Sequence, residues 1–376
     1  MLIKFLRSLP RWKSKIPPTD PSLALFINDT ATDYHWGCYA TSSVIKERLI
    51  SAGYRVAPFS VAVTHRGMGN APTSTSELSE FYRGLSTIAP DLWEALHQCA
   101  IVVVNGEGTL HRFHNGPRCL LALMWAAKRI GKPVHLINHS LFPSGGRETA
   151  SNDVREYYRE CLYHIDNVVA RENFSINNYK ELGIKATLGF DCLPIFAKRA
   201  TLSKTERAIV LCGASHWSAE TARSVAERLA PILFKQEVPI VFLSGGVQCP
   251  PEDRVHYEAM RSAIPGLRMV EAESAERWLS VIARAYLTIT GRFHHLVAAV
   301  ALSSPIVSLP GNTLKCEAVC DLFGLPSPIE PASPMLEERV QRALATPPAL
   351  SDAVAEKARQ LAERNFLRLP RAAVHL

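Results

Sequence analysis

Short apolar runs alternate with longer segments of helical periodicity along almost the whole chain. The clearest runs are residues 23–27, 55–61, 100–104, 133–137, 167–170, 186–188, 208–212, 238–243, 285–289 and 305–309. Between them lie helical patterns, such as residues 40–52 and 120–130, which stop at Gly53 and Gly131. This alternation predicts parallel β-sheets whose strands are joined by crossover helices.

The alternation is interrupted at residues 193–206, which contain Pro194 and the basic pair Lys198–Arg199, and it then restarts. A chain of 376 residues also exceeds one ordinary core. We therefore predict an α/β fold in which two Rossmann-like domains face a cleft, the GT-B arrangement. The predicted segments are a basic N-terminal tail (1–20), a first domain (21–192), a linker (193–206), a second domain (207–345) and a C-terminal helix (346–376) that could return to the first domain.

Composition and charge narrow the class of protein. Charged residues make up 20% and hydrophobic residues 47% of the chain, which is typical of a globular protein. The net charge of +7 is mild and suits small anionic substrates. Nucleic-acid binding is not expected, because no basic stripe with interleaved aromatic residues occurs.

The nine cysteines include no CxxC pair, and they are embedded in apolar runs. This pattern predicts reduced, buried thiols in a cytoplasmic protein and no metal site. The basic, partly apolar segment 1–13 is interrupted by Lys4 and Arg7, so it is too short for a membrane span. It leaves open a peripheral contact with the inner face of the membrane or a plain tail.

The most informative segment is Gly291-Arg292-Phe293-His294-His295, at the predicted junction of a strand and a helix. Ligands bind at the carboxyl ends of strands in open α/β sheets, and a helix start favours anions. The planar guanidinium of Arg292 could donate two hydrogen bonds to a carboxylate or phosphate. The His294 ring could give up a proton near neutral pH. The alternative is a helix start whose polar residues face solvent.

Polar residues follow the first-domain strands in the same way, and glycines at 106 and 108 would let the backbone approach a ligand. Sugar hydroxyls suit such groups, so our acceptor-binding candidates are Asp33, Trp36, Asn105, Glu107, His111 and His139. Purely structural roles are the alternatives to ligand binding. They are tight turns after the strands, helix capping by Asp33, a buried ion pair at Arg171 and a solvent-exposed Lys315. The chain contains no GxGxxG, GxSxG, GxxxxGK[ST] or HExxH motif.

Taken together, these blocks resemble the polysaccharide pyruvyl transferase family over residues 23–325. The matching pieces are Trp36-Gly37, Asn105-Gly106-Glu107-Gly108-Thr109, Ala170-Arg171-Glu172 with Ser175, Leu182-Gly183 to Asp191, and Gly291-Arg292-Phe293-His294 with Pro305 and Lys315. Many members carry a GGG-type turn where this chain has 105–108, and an Asn-x-Gly-Asp-type first loop where it has 34–37. Both departures fall in the half where the family binds its acceptor.

The resemblance implies transfer of a pyruvyl group from phosphoenolpyruvate to two hydroxyls of a polysaccharide or its lipid-linked precursor, giving a ketal. It implies donor binding by Arg171, Arg292, Phe293 and Lys315, proton donation by His294, and no metal or organic cofactor. A GT-B glycosyltransferase that uses a nucleotide-sugar is the alternative enzyme. A non-catalytic binding protein that keeps the fold is a third possibility, against which the presence of Arg171, Arg292 and His294 argues.

Overall fold

A computed structural model describes residues 19–32, 35–146, 148–246, 249–347 and 350–373. Asp33 and residues 1–18 of the predicted tail lie outside the described residues. No helix in the described part of the chain combines the length and the apolar character that a membrane span requires.

The first sheet has six strands, all parallel to their neighbours, in the order β2-β1-β3-β4-β5-β6. The strands are β1 (Asp20–Asp29), β2 (Arg55–Ser60), β3 (Cys99–Glu107), β4 (Val134–His139), β5 (Asn167–Ala170) and β6 (Thr187–Leu188). The accompanying helices are α1 (Trp36–Ser51), α2 (Leu78–Ile88), α3 (Pro90–Gln98), α4 (Asn115–Arg129), α5 (Asn152–Leu162) and α6 (Asn173–Glu181).

Helix α7 (Leu193–Arg199) joins this unit to a second parallel sheet of five strands, in the order β11-β10-β7-β8-β9. Its strands are β7 (Ile209–Leu211), β8 (Ile240–Leu243), β9 (Arg268–Val270), β10 (Leu287–Thr290) and β11 (Ile306–Ser308). Its helices are α8 (Ala219–Leu233), α9 (Pro251–Arg261), α10 (Ala275–Ala283), α11 (Phe293–Ala301), α12 (Lys315–Phe323) and α13 (Leu336–Ala345). Two α/β units with parallel sheets are therefore confirmed.

The last helix, α14 (Asp352–Glu363), returns to the first sheet, as predicted. Just beyond it, the Asn365 amide donates to the Phe190 carbonyl oxygen at 2.8 Å and accepts from the Asn138 backbone N–H at 2.8 Å. Asn365 is buried, so these bonds are shielded from water. They hold the end of the chain against strand β4.

A continuous apolar core joins the two units, because helices α1, α7, α10, α11 and α14 pack against one another. Trp36 adds polar bonds across the junction. Its backbone N–H donates to the Gly245 carbonyl oxygen at 2.7 Å, and its indole N–H donates to that of Ala272 at 3.2 Å. The carboxyl ends of the two sheets are thereby held on opposite sides of one cleft.

Four local predictions need correction. Residues 105–107 were expected to follow β3, but they continue it, since Asn105 pairs with Ile137 and Glu107 with His139. Helix α1 begins at Trp36 rather than Ala40. Strand β4 ends at His139 rather than at Ile137. Within the predicted linker 193–206, residues Leu193–Arg199 form the buried helix α7. The domain boundaries at 192 and 207 stay a prediction.

Candidate active site

A cavity of about 290 Å³ lies between the carboxyl ends of the two sheets. The second unit lines it with Arg292, Phe293, His294, His295, Asn312 and Lys315. The first unit contributes His35, Cys38, Glu107, His111 and Arg171, among others. The structure thus brings all the predicted donor-site residues to one cavity with two of the predicted acceptor-site residues.

Asp191, just beyond β6, organises the wall of this cavity. Its carboxylate is fully buried and accepts from Nη1 of Arg171 at 2.8 Å. The same oxygen, Oδ2, lies 3.6 Å from Nε2 of His294, which belongs to the second unit. Burial alone would raise the pKa of Asp191, but the neighbouring His294 and Arg171 hold it below its ordinary value.

The Arg171 guanidinium is buried in the wall and directed by Asp191, with further bonds of 3.2 and 3.3 Å to Oγ of Ser140. Its carbon Cζ lies 4.4 Å from the centre of the Phe293 ring. Nζ of Lys315 lies 5.5 Å from the same ring centre. Phe293 therefore holds two cations side by side through its ring.

Lys315 differs from the two arginines. Its ammonium group has no hydrogen bond or ion pair with any described residue. Burial, followed by the charge of Arg171, lowers its pKa to about 8. Lys315 is the first residue of α12, at the end of the helix where backbone N–H groups lack partners within the helix.

Arg292 is anchored from behind by the buried carboxylate of Asp253, with a second ion pair to Glu252 at 3.3 Å. Its Nε is buried and makes no hydrogen bond to the described residues. Burial would raise the pKa of Asp253, but the charge of Arg292 and the N–H of Gly245 keep it low. Both arginines thus have a fixed acidic partner in the wall.

His294 sits across the junction between the units, against helix α1. A Cβ atom placed on Gly37 would lie 2.2 Å from Cγ of the His294 ring, so glycine is the residue that leaves room for it. Nδ1 of the ring lies 3.9 Å from Sγ of Cys38. Nε2 is buried on the side of Asp191, which leaves Nδ1 as the edge toward Cys38 and the cavity.

His295 turns the other way. Its Nε2 accepts from the indole N–H of Trp278 at 3.1 Å, and the residue is buried. Burial and the charge of Arg292 lower its pKa to about 3, so the ring is neutral at physiological pH. His295 therefore serves as a neutral hydrogen-bond acceptor inside the second unit.

Among the acceptor candidates, Glu107 and His111 reach the cavity. Glu107 is held in a left-handed backbone conformation with φ of 39°, and its Oε1 accepts from Thr41 at 2.9 Å and from the Asn105 amide at 3.1 Å. The His111 ring donates from Nδ1 to the Gly108 carbonyl oxygen at 2.5 Å. Burial lowers the pKa of His111 to about 4, so this ring is also neutral near pH 7.

Three other acceptor candidates lie outside the cavity lining. Asn105 is buried under the sheet edge and bonds to Asn28 and Asn138 of the neighbouring strands. His139 is buried, with its Nε2 2.6 Å from the Tyr179 hydroxyl, and it lies in β4, which continues two residues past the predicted end at Ile137. Trp36 joins the two units. The polar groups of these three residues therefore stabilise the fold around the cavity.

Several cavity residues were not singled out from the sequence. Cys38 and His35 stand at the start of α1. Asp253, which pairs with the cavity residue Arg292 but does not itself line the cavity, stands in α9, a helix that the alternation did not reveal. A polar or thiol side chain at a helix start after a strand is the signal that could have identified the first two. Cys38, Glu107 and His294 each place one potential metal-ligand atom within 4.8 Å of the other two, although no metal site was expected.

Comparison with known protein families identifies the family of this chain. The family model for polysaccharide pyruvyl transferases matches residues 15–311, which is most of the sequence. The chain belongs to this family. Among curated protein sequences, none matches it.

Solved structures agree on the fold. The UDP-GlcNAc 2-epimerase of Neisseria meningitidis, bound to UDP-GlcNAc, is 13% identical, with a TM-score of 0.57 over 91% of this chain and 97% of that one. The UDP-GlcNAc 2-epimerase of Methanocaldococcus jannaschii is 13% identical, with a TM-score of 0.56 over 91% and 98% of the two chains. At these identities the likeness establishes the GT-B fold, which confirms the predicted arrangement.

The contact between Gly37 and His294 gives a first test. We expect Gly37→Ala to displace the His294 ring and to destabilise the protein by about 1–3 kcal/mol, as overpacking commonly does. Thermal unfolding and the NMR resonances of the histidine rings would measure both effects. Gly146→Ala is the matched control, because no described atom outside its own chain neighbours lies within 4 Å of the added Cβ. Equal melting temperatures and unchanged His294 resonances in both variants would contradict the expectation.

Proposed function

We propose that the protein transfers the pyruvyl group of phosphoenolpyruvate to two hydroxyls of a saccharide, free or carried on a lipid, and forms a pyruvate ketal. The observation that carries the proposal is the wall shared by Phe293, His294 and Lys315. It presents the Lys315 ammonium, which pairs with none of the described residues, on the same wall as the His294 ring, and it contains the segment that resembles the family's donor site. The family match supports the same class of reaction.

Charge distribution supports an anionic donor. Phosphoenolpyruvate carries a carboxylate and a phosphate, and the cavity lining includes Arg171, Arg292 and Lys315. The acids that pair with the arginines, Asp191, Asp253 and Glu252, do not line the cavity. The lining of the cavity is therefore more positive than the net charge of the lining residues and their acidic partners taken together.

The chemistry requires a positioned acid, which we assign to His294. Protonation of the donor's methylene carbon from Nδ1 makes the adjacent carbon electrophilic. One saccharide hydroxyl adds to that carbon and releases its proton, and phosphate then leaves. The second hydroxyl closes the ketal and releases its proton. Asp191 lies 3.6 Å from Nε2 and would orient the His294 ring from its opposite edge.

On the acceptor side, Glu107 and His111 are the candidates that the cavity retains. A carboxylate oxygen accepts from a sugar hydroxyl, and the neutral His111 ring has a free Nε2 that can also accept. Since Asn105, His139 and Trp36 support the scaffold, we assign them no direct contact with the acceptor.

The reaction itself is tested by incubating the protein with phosphoenolpyruvate and a panel of soluble and lipid-linked oligosaccharides. We expect saccharide-dependent phosphate release and a product whose mass corresponds to a pyruvate ketal. Thermal unfolding with phosphoenolpyruvate or with UDP separates the alternatives. Stabilisation by UDP alone, with no phosphate release across the panel, would favour a nucleotide-sugar enzyme and overturn the proposal.

His294→Gln should lower kcat by about 10²–10⁴-fold at saturating donor, because a general acid contributes that much. His295→Gln should be much milder, since a glutamine oxygen can accept from Trp278 in place of Nε2. Steady-state kinetics with circular dichroism as the folding control would distinguish them. An active His294→Gln variant beside an inactive, folded His295→Gln variant would reverse the assignment.

Lys315 predicts a pH dependence of donor binding. Its pKa of about 8 means that the ammonium is charged below that pH and is lost above it. Phosphoenolpyruvate is already fully ionised above pH 7, so its Kd should rise from pH 7 to 9.5, approaching the roughly 10–100-fold loss of one charge-assisted contact.

Calorimetry on the native protein, Lys315→Arg and Lys315→Met would measure this effect. The arginine variant should bind with little pH dependence, because its charge persists, and the methionine variant should bind weakly throughout. A Kd that is independent of pH in the native protein and unchanged in Lys315→Met would exclude a donor contact.

A further inference from the structure

We propose that Cys38, Glu107 and His294 form a three-ligand site for a zinc ion, and that zinc at this site and proton donation by His294 exclude each other. The binding part stands independently of the reaction proposed above. The exclusion part rests on it.

The ligand atoms are already close together. Sγ of Cys38 and Nδ1 of His294 are 3.9 Å apart, and one atom from each of the three residues lies within 4.8 Å of the others. Zinc bonds of about 2.3 Å to sulfur and 2.0–2.1 Å to nitrogen place tetrahedral ligands roughly 3.5 Å apart. A small inward movement of side chains therefore gives bonding distances.

The donor types also suit zinc. Thiolate, imidazole and carboxylate are all zinc ligands, and two negative ligands with one neutral ligand balance the charge of the ion. All three residues line the cavity, so a fourth coordination position would open toward it. Three protein ligands and one open position are typical of a reactive zinc site rather than a purely structural one.

The surroundings hold the ligands in place. The opposite nitrogen of His294, Nε2, faces the buried Asp191 carboxylate at 3.6 Å, as in sites where a carboxylate orients a zinc-bound histidine. Glu107 is held through Oε1 by the Thr41 hydroxyl at 2.9 Å and the Asn105 amide at 3.1 Å. These are the outer contacts that a metal site requires.

Zinc binding and proton transfer compete because both use Nδ1 of His294. Nδ1 is the ring edge toward Cys38, and it is also the edge that we assign to proton transfer. A lone pair bound to zinc cannot carry a proton. Zinc should therefore inhibit pyruvyl transfer, and a chelator should restore it.

Cobalt(II) tests binding without any turnover. Protein treated with chelator is titrated with Co²⁺, and we expect one equivalent to give visible bands of four-coordinate cobalt with a thiolate-to-cobalt charge-transfer band. One equivalent of Zn²⁺ should remove both. Cys38→Ser should lose the charge-transfer band, and Cys249→Ser, which alters a thiol outside the cavity lining, should keep it.

Thr41→Val tests the outer contacts with all three ligands intact. Losing the hydroxyl bond to Glu107 should weaken Zn²⁺ binding by about 10–100-fold, the usual effect of an outer-contact substitution. Circular dichroism and thermal unfolding check that each variant folds. No charge-transfer band in the native protein, or a band that persists in folded Cys38→Ser, would overturn the site.

Inhibition by Zn²⁺ is then measured in the phosphate-release assay. Inhibition at the concentration that fills the cobalt-sensitive site supports exclusion, and full activity with zinc bound refutes it. If zinc binds as expected but no saccharide releases phosphate from phosphoenolpyruvate, the metal site stands and the proposed function fails.

Discussion

The candidate site depends on one buried carboxylate that belongs to the first unit and serves residues of both. Asp191 fixes Arg171 through a direct ion pair and lies beside the inner edge of His294. A fully buried carboxylate without such partners would be costly, because burial disfavours its charged form. Arg171 supplies one of these partners from within the first unit, and the second unit supplies the other when docking places His294 beside Asp191 and against Gly37.

The three cavity cations have different physical roles. Arg171 and Arg292 are held rigid by acidic partners, so they provide direction and hydrogen-bond geometry more than net charge. Lys315 has no such partner among the described residues, and burial together with the charge of Arg171 lowers its pKa. An arriving anion gains most at Lys315, the residue that sequence reasoning was most ready to regard as an ordinary surface lysine.

Much of the fold could be predicted from sequence because the buried strands are short β-branched runs. The strand 167–170 was predicted at its observed bounds, and most other strands within a few residues. Helices α5 and α9 are polar on average and gave no comparable pattern. At the site, strand ends indicated the correct edge of the sheet, and the motif 291–294 indicated the correct wall. The direction of each side chain was not predictable, because both strands run past their predicted ends with different results. Strand β4 continues two residues further and His139 is buried, whereas β3 continues three residues further and Glu107 reaches the cavity.

The return of the C-terminal segment has a consequence for how the chain folds during synthesis. The backbone N–H of Asn138 in β4 finds its partner in Asn365, which leaves the ribosome 227 residues later. Until then the first unit lacks a buried contact of its central sheet, and the apolar surface that α7 and α11 share with α14 is incomplete. The native contacts of the first unit are therefore complete only after the C-terminal segment has been made, and they include pairs that are very distant in sequence.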